Sequence, residues 1–268
     1  MTFFEDFSTF VSIGPIHIQW YAVCILSGAC FAYLLGQYRF KQLGYDKEIL
    51  SDFFFSLLFI GILGARLWYV TFMLDYYLAN PIEIFAVWHG GLAIQGGIVA
   101  GIIYSYFFFK KKNIPFLVAG DAIMPGVLIA QACGRWGNFF NHEAFGGEVT
   151  LEFLQSLHLP QFIIDNMYIQ GAYHHPTFLY ESVGNLIAFI LIVFVIRKFQ
   201  KHVGVQFFSY FLLYGIVRFP VEGLRMDSLM LGPIRMAQLT SVFFAIVGIA
   251  GIIYVYKKDM KVSEYHEG

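Results

Sequence analysis

The stretch GRWGNFFNHEAFG, residues 134–146, closes the apolar run FLVAGDAIMPGVLIAQAC and gathers Arg135, Asn138, Asn141 and Glu143 within one short segment. Arginine presents a planar fork of N–H donors that matches the paired oxygens of a phosphate or carboxylate, and it stays charged at every relevant pH. The two amides and the carboxylate add donors and acceptors able to orient ester oxygens. A charge at membrane depth costs roughly 2.5–3.5 kcal/mol by insertion scales, so Arg135 must face protein, water or a polar ligand. Two readings follow. One is a helix end whose arginine reaches the interface while the amides cap carbonyls; the other is an anion site at a membrane surface.

Three further stretches carry polar chemistry. In YGIVRFPVEGLR, residues 214–225, the spacing of Tyr214, Arg218, Glu222 and Arg225 predicts one polar stripe on a helix, with a kink at Pro220. Glu222 either neutralises its arginines and ties spans together or takes part in a reaction. In WHGGLAIQGG, residues 88–97, the glycines, continued by Gly101 in a GxxxG arrangement with Gly97, suit close helix packing. No strand precedes them, so they are not a dinucleotide fingerprint. In HHPTFLYE, residues 174–181, Pro176 suits a first helical turn and places His174, His175 and Glu181 at one end of an apolar span. A histidine there is more often an anchor than a catalyst. Asp121, Arg66 and Tyr21 are polar groups in apolar surroundings that need partners.

The elements that must position these groups are membrane helices. Of the 268 residues 58% are hydrophobic and only 13% charged, far from the roughly 25% charge of soluble domains. Apolar runs near 18–38, 50–73, 90–109, 116–134, 178–196, 205–223 and 236–256 approach the roughly 20 residues that span a bilayer. Arg39, Lys41 and Lys47, then Lys110, Lys111 and Lys112, then Arg197, Lys198 and Lys201, then Lys257, Lys258 and Lys261 follow alternate runs. That bias predicts seven transmembrane helices with the N-terminus outside and the C-terminus cytoplasmic. The fold class expected is an all-α polytopic membrane protein, one integral membrane domain over 1–268. A small external head is expected between spans four and five, at about 142–177, where Leu151, Leu154, Leu157 and Phe162 follow helical spacing.

Five basic residues remain, and all are arginine: Arg66, Arg135, Arg218, Arg225 and Arg235. They fall in the membrane or on the external side, where sorting of charge excludes lysine but does not call for arginine. Cys24, Cys30 and Cys133 lie in apolar runs and read as small hydrophobes, so no disulfide, zinc or redox chemistry is expected, and no metal or cofactor. The acidic N-terminal stretch lacks the basic start and cleavage pattern of a removable leader. No GxSxG nucleophile motif occurs. No repeat relates the halves of the chain, which weakens an inverted-repeat transporter reading; nucleic acid is not an expected partner.

The pattern filled by Gly134, Arg135, Gly137, Asn138, Phe139, Phe140, Asn141, Glu143 and Gly146 resembles the signature of the bacterial prolipoprotein diacylglyceryl transferases. WYA at 20–22, GAR at 64–66, WHGGLAIQGG, HPTFLYE at 175–181, YGIVRFPVEGLR and MAQLTS at 236–241 are similar to other landmarks of that family. The resemblance implies an enzyme of the bacterial cytoplasmic membrane, active toward its external face, that carries out the first step of lipoprotein maturation. It would move the diacylglyceryl group of phosphatidylglycerol to the lipobox cysteine of a prolipoprotein, forming a thioether and releasing glycerol phosphate. It implies phosphatidylglycerol contacts at Arg135, Asn138, Asn141, Glu143, Gly146 and Tyr21, and catalytic roles for Arg135, Arg218, Tyr214 and Glu222. His175, Gln95 and Arg225 are secondary candidates. Many members carry a histidine, proposed as the base, where this chain has Gln95, which accepts no proton at neutral pH. Tyr214, Glu222, water and the leaving phosphate stay open as bases. The competing class is a transporter or flippase for an anionic lipid.

Overall fold

The computed structural model describes residues 2–3 and 6–262; part of the acidic N-terminal stretch discussed above lies outside them. The chain is mostly helical, and among the described residues six helices are long and apolar enough to cross a membrane. It divides into two compact units, one of residues 1–35 and 120–268 and the other of residues 36–119.

The larger unit opens with a small sheet in which β2 (Thr9–Ile13) lies between β1 (Thr2–Phe3) and β3 (Ile16–Gln19), both antiparallel to it. The chain then enters α1 (Trp20–Gln42). Helix α5 (Phe116–Phe140) runs several residues beyond the apolar stretch, so GRWGNFF is its last two turns rather than a mouth beyond its end. Phe7 and Trp20 stack against Phe139, Phe140 and His142, which seats the sheet on that helix end. Helix α8 (Thr177–Ile190) passes through a π-helical stretch, Leu191–Ile196, into α9 (Arg197–Phe199), together one apolar span. Helix α10 (Val205–Leu224) continues through Pro220, and α11 (Met236–Lys257) packs along it. The start of α10 is capped from a different helix: Asp121 accepts from the backbone N–H of Gly204 at 2.7 Å and Phe207 at 2.8 Å, and from the Gln200 amide at 2.7 Å. A buried carboxylate there satisfies N–H groups that have no partner within the helix.

Between α5 and α8 the head segment forms two short helices, α6 (Leu151–Ser156) and α7 (Gln161–Asn166), and a sheet ordered β4 (Glu148–Val149), β6 (Ala172–His174), β5 (Tyr168–Ile169). Leu154, Ile163, Ile164 and Met167 form its core with Phe139 and Phe178. Helical spacing singled out Leu157 and Phe162, but both are exposed; the break at His158, whose φ is positive, resets the register so that Ile163 and Ile164 turn inward.

In the smaller unit α2 (Lys47–Phe72) packs on α4 (Ile94–Lys111), with α3 (Leu74–Ala79) and two 3-10 turns between them. Gly97 and Gly101 of the GxxxG pair lie against Gly61 and Leu57 of α2, and Gly96 meets Gly64 so closely that neither has room for a Cβ. The packing reading of those glycines therefore holds. Helix α4 is 18 residues long and ends in two lysines, shorter than the six others.

Candidate active site

The site is built where the C-terminal ends of α5 and α10 meet the N-terminal end of α8. Arg135, near the C-terminal end of α5, donates from Nη1 to Asn138 Oδ1 at 3.0 Å. Asn138 donates in turn to Glu143 Oε1 at 3.0 Å, and Asn141 reaches the same oxygen at 3.4 Å. The groups that GRWGNFFNHE gathers in sequence thus form a hydrogen-bonded relay, and the positive φ of His142 and Ala144 turns the chain back to close it.

The centre of the cluster is Glu181 of α8, only 1% exposed. Its Oε1 lies 2.9 Å from Arg135 Nη2, off the line of a hydrogen bond, and its Oε2 accepts from Arg218 Nη1 at 2.6 Å. Arg218 also donates from Nη2 to Glu222, one turn further along α10, completing a chain Arg135–Glu181–Arg218–Glu222. Tyr214 of α10 lies close to both Arg135 and Arg218. Burying Glu181, Arg218 and Glu222 is tolerable only because each finds an opposite partner, and removing one member leaves its partner uncompensated.

Arg225 departs from the expected stripe. It lies past the end of α10 in extended backbone, where it grips Asp227 through Nε at 2.9 Å and Nη2 at 2.7 Å and stands 4.0 Å from Glu222. The helix ends at Leu224, so the three-residue step from Glu222 does not continue the face. The hydrogen bond from Arg225 holds the Asp227 carboxyl below its ordinary range. Arg235 caps the end of α10, donating from Nη1 to the carbonyls of Glu222 at 2.5 Å and Arg225 at 2.6 Å.

Two glycines explain their own identity. A Cβ on Gly137 would come within 2.8 Å of the Tyr21 ring, which brings Tyr21 against the segment between Arg135 and Asn138. A Cβ on Gly146 would meet His175 at 2.6 Å and Thr177 at 2.9 Å, because the backbone there is bonded between His175 and the Leu224–Arg225 end of α10. Gly146 thus joins the head segment to α8 and α10 and offers no side chain to a ligand. A narrow cleft lined by Arg135, Asn138, Ala144, Thr177, Phe178, Glu181 and Arg225 opens on this cluster.

A family model described as prolipoprotein diacylglyceryl transferase matches residues 8–254. The chain belongs to that family. It is 47% identical over 247 residues to the phosphatidylglycerol–prolipoprotein diacylglyceryl transferase of Staphylococcus haemolyticus, covering 92% of this chain and 87% of that one. It is 46% identical to those of Staphylococcus carnosus, over 90% of this chain and 88% of the relative, and Staphylococcus aureus, over 91% and 87%.

Of the residues that resemblance to the family singled out, the structure brings together Arg135, Asn138, Asn141, Glu143, Tyr214, Arg218 and Glu222, with Tyr21, Gly146 and Arg225 at the margins. His175 is separate: its ring meets the Tyr180 hydroxyl at 3.2 Å and the Phe153 ring, and burial lowers its pKa, which favours a neutral ring. Its neighbour His174 is buried between the carbonyls of Gly146 and Ile169. Gln95 belongs to the smaller unit, exposed on the first turn of α4. Glu181 is the residue that sequence reading passed over as one of several polar groups at a span end. The signal was present: two arginines carried by apolar helices call for a carboxylate between them, and Glu181, 46 residues from Arg135 and 37 from Arg218, is an acid at the start of an apolar span.

Proposed function

We propose that the protein transfers the diacylglyceryl group of phosphatidylglycerol to the lipobox cysteine of prolipoproteins, using the Arg135–Glu181–Arg218 chain to meet the phosphate. The observation that carries this reading is a pair of arginines bridged by one buried carboxylate beside a narrow cleft that Asn138 also lines, in a chain of this family. In the reaction the cysteine sulfur forms a bond to the terminal glycerol carbon of the diacylglyceryl unit. The bond from that carbon to the phosphate-ester oxygen breaks, its electron pair stays on that oxygen, and the thiol proton balances the charge on the departing glycerol phosphate.

Each residue has a task that its surroundings permit. The Arg135 fork, 23% exposed, takes the phosphate oxygens while Glu181 fixes its plane. Arg218 is more deeply buried and stabilises developing negative charge, on thiolate or leaving group, without reorienting. A cationic site of this kind also favours the thiolate over the thiol. Asn138, Asn141 and Glu143 orient the headgroup, and Tyr21 lines the approach. Tyr214, close to Arg135, and Glu222 complete the polar face. No step passes through Gln95, which carries no titratable proton.

The same reading makes the chain a single integral domain of the bacterial cytoplasmic membrane with seven crossings. Helix α4, about 27 Å long at 1.5 Å per residue, supplies the third. The lysines and arginines that follow alternate spans set the N-terminus outside and the C-terminus cytoplasmic, with residues 142–177 as an external head and the site on the outer side, where an exported cysteine arrives.

The deciding experiment incubates purified protein with phosphatidylglycerol vesicles and a synthetic lipobox peptide and follows peptide mass. A gain of one diacylglyceryl group with release of glycerol phosphate supports the transferase. An unmodified peptide, with phosphatidylglycerol moved across the vesicle bilayer, would favour a flippase instead.

A further inference from the structure

One helical turn below Glu181, Asn185 is completely buried, and neither its Nδ2 nor its Oδ1 has a hydrogen-bond partner among the described residues. The orphaned atoms are not isolated. Gln131 Oε1 is likewise buried and unpartnered, and so, in hydrogen-bond terms, is Glu181 Oε1. The contacts between helices put Asn185 and Gln131 at one depth, a turn from Glu181. Helices α5 and α8 run antiparallel, with Arg135 against Glu181 and Ser182 Oγ donating to the Ala132 carbonyl at 3.1 Å, which sets Asn185 level with Gln131. On α10, Arg218 meets Glu181 and Val217 packs on Gly184, which sets Asn185 level with Tyr214. Gln131 Nε2 donates to the Tyr210 hydroxyl at 3.1 Å, and the Tyr210 ring stacks on Tyr214. Ala188, a turn further in, packs with Leu128 and Tyr210 and closes the column with apolar side chains.

An amide with both ends unsatisfied inside hydrocarbon-facing helices is costly, and buried waters are found where a few convergent polar atoms would otherwise lack partners. We infer that Asn185, Gln131 and Glu181 hold a bound water inside the helix bundle, and that Asn185 is thereby a positioning residue for Glu181. Asn185 Nδ2 donates to the water. The water donates to Glu181 Oε1 and to Gln131 Oε1. With that lone pair engaged, the Glu181 carboxylate keeps the orientation in which one oxygen faces each arginine, and the phosphate-binding fork of Arg135 stays aimed at the cleft. The role rests on the transferase reading given above; the water site does not.

The test combines a high-resolution structure of the intact protein in lipid with transfer kinetics of Asn185→Leu. The expected structure has one ordered water within hydrogen-bond reach of Asn185, Gln131 and Glu181. Direct pairing of the Asn185 and Gln131 amides with no water between them overturns the site. Asn185→Leu removes the water's donor without leaving an unpartnered group at that position, so insertion and thermal stability hold while kcat falls about tenfold and KM for phosphatidylglycerol stays within about twofold. Asn185→Ser, which returns a donor and an acceptor, recovers most of that loss. Full activity in Asn185→Leu overturns the positioning role. If Asn185→Leu does not fold, equal activity of Asn185→Ser and Asn185→Ala overturns it. An inactive wild-type protein in the same assay counts against the transferase reading, whereas the density at Asn185 still decides the water.

Discussion

Arg66 and Arg135 are both arginines of membrane helices, yet their surroundings differ in kind. Arg66, 4% exposed on α2, donates to five backbone carbonyls: Ile84 at 2.9 Å, Gly90 at 2.6 Å, Gly91 at 2.9 Å, Ala86 at 3.4 Å and Glu83. Its guanidinium also lies 5.1 Å from the centre of the Tyr77 ring. Arg135 faces a carboxylate, an amide and a phenol, and keeps part of its surface open to a cleft. Carbonyls can neither rotate away nor ionise, so a guanidinium saturated by them is a fixed clamp on a loop. Side-chain partners exchange, so a guanidinium held by them can take a ligand. Residue type is the same; the nature of the acceptors separates structure from chemistry.

Substitutions at the two positions separate along that line. The largest effect belongs to Arg135→Lys, which keeps the charge but loses the fork: transfer activity falls by about 10²–10³-fold with normal membrane insertion. Full activity of that variant in the peptide-mass assay breaks the comparison. Arg66→Lys has the opposite profile. Lysine cannot satisfy five carbonyls arranged around a plane, so a thermal unfolding scan should show a loss of about 1–3 kcal/mol, while specific activity of the folded fraction changes little. A stable but inactive Arg66→Lys protein would place Arg66 in the chemistry after all.

Arg225 lies between these extremes, and acid probes it. Because its partner Asp227 has a lowered pKa, the pair contributes stability above the ordinary value of 3.8 and loses it as pH falls through the lowered value. Asp227 is about half exposed, so Asp227→Asn should cost only about 0.2–1 kcal/mol at neutral pH and flatten the acid limb of a stability profile. An unchanged acid limb would remove the latch. The smallest effect is expected at Gln95→Ala, whose activity should stay within about threefold of wild type, the chemistry resting on other groups. A loss equal to that of Arg135→Ala would show that the amide participates directly.

Much of this was legible along the chain. Apolar run length predicts helices close to those found, because hydrocarbon thickness fixes the number of residues a span requires. The relay from Arg135 through Asn138 to Glu143 was legible because it is local: all three groups lie within about two turns of one helix end. The stripe of Tyr214, Arg218 and Glu222 was legible for the same reason, up to the point where the helix stops. Glu181 was not, since its importance comes from arginines 46 and 37 residues away that meet it only through packing of three helices. The head shows the same limit: a single positive φ at His158 moved the buried positions from Leu157 and Phe162 to Ile163 and Ile164.

By itself the sequence determined the membrane helices, the segregation of lysine from arginine and the local relay at 134–143, because hydropathy, charge placement and helical period act over a few turns. Tertiary structure alone decided which arginines are saturated by carbonyls, which share a carboxylate and which still face a cleft. Those outcomes depend on acceptors brought together from distant segments, and a buried guanidinium takes its role from whatever acceptors reach it.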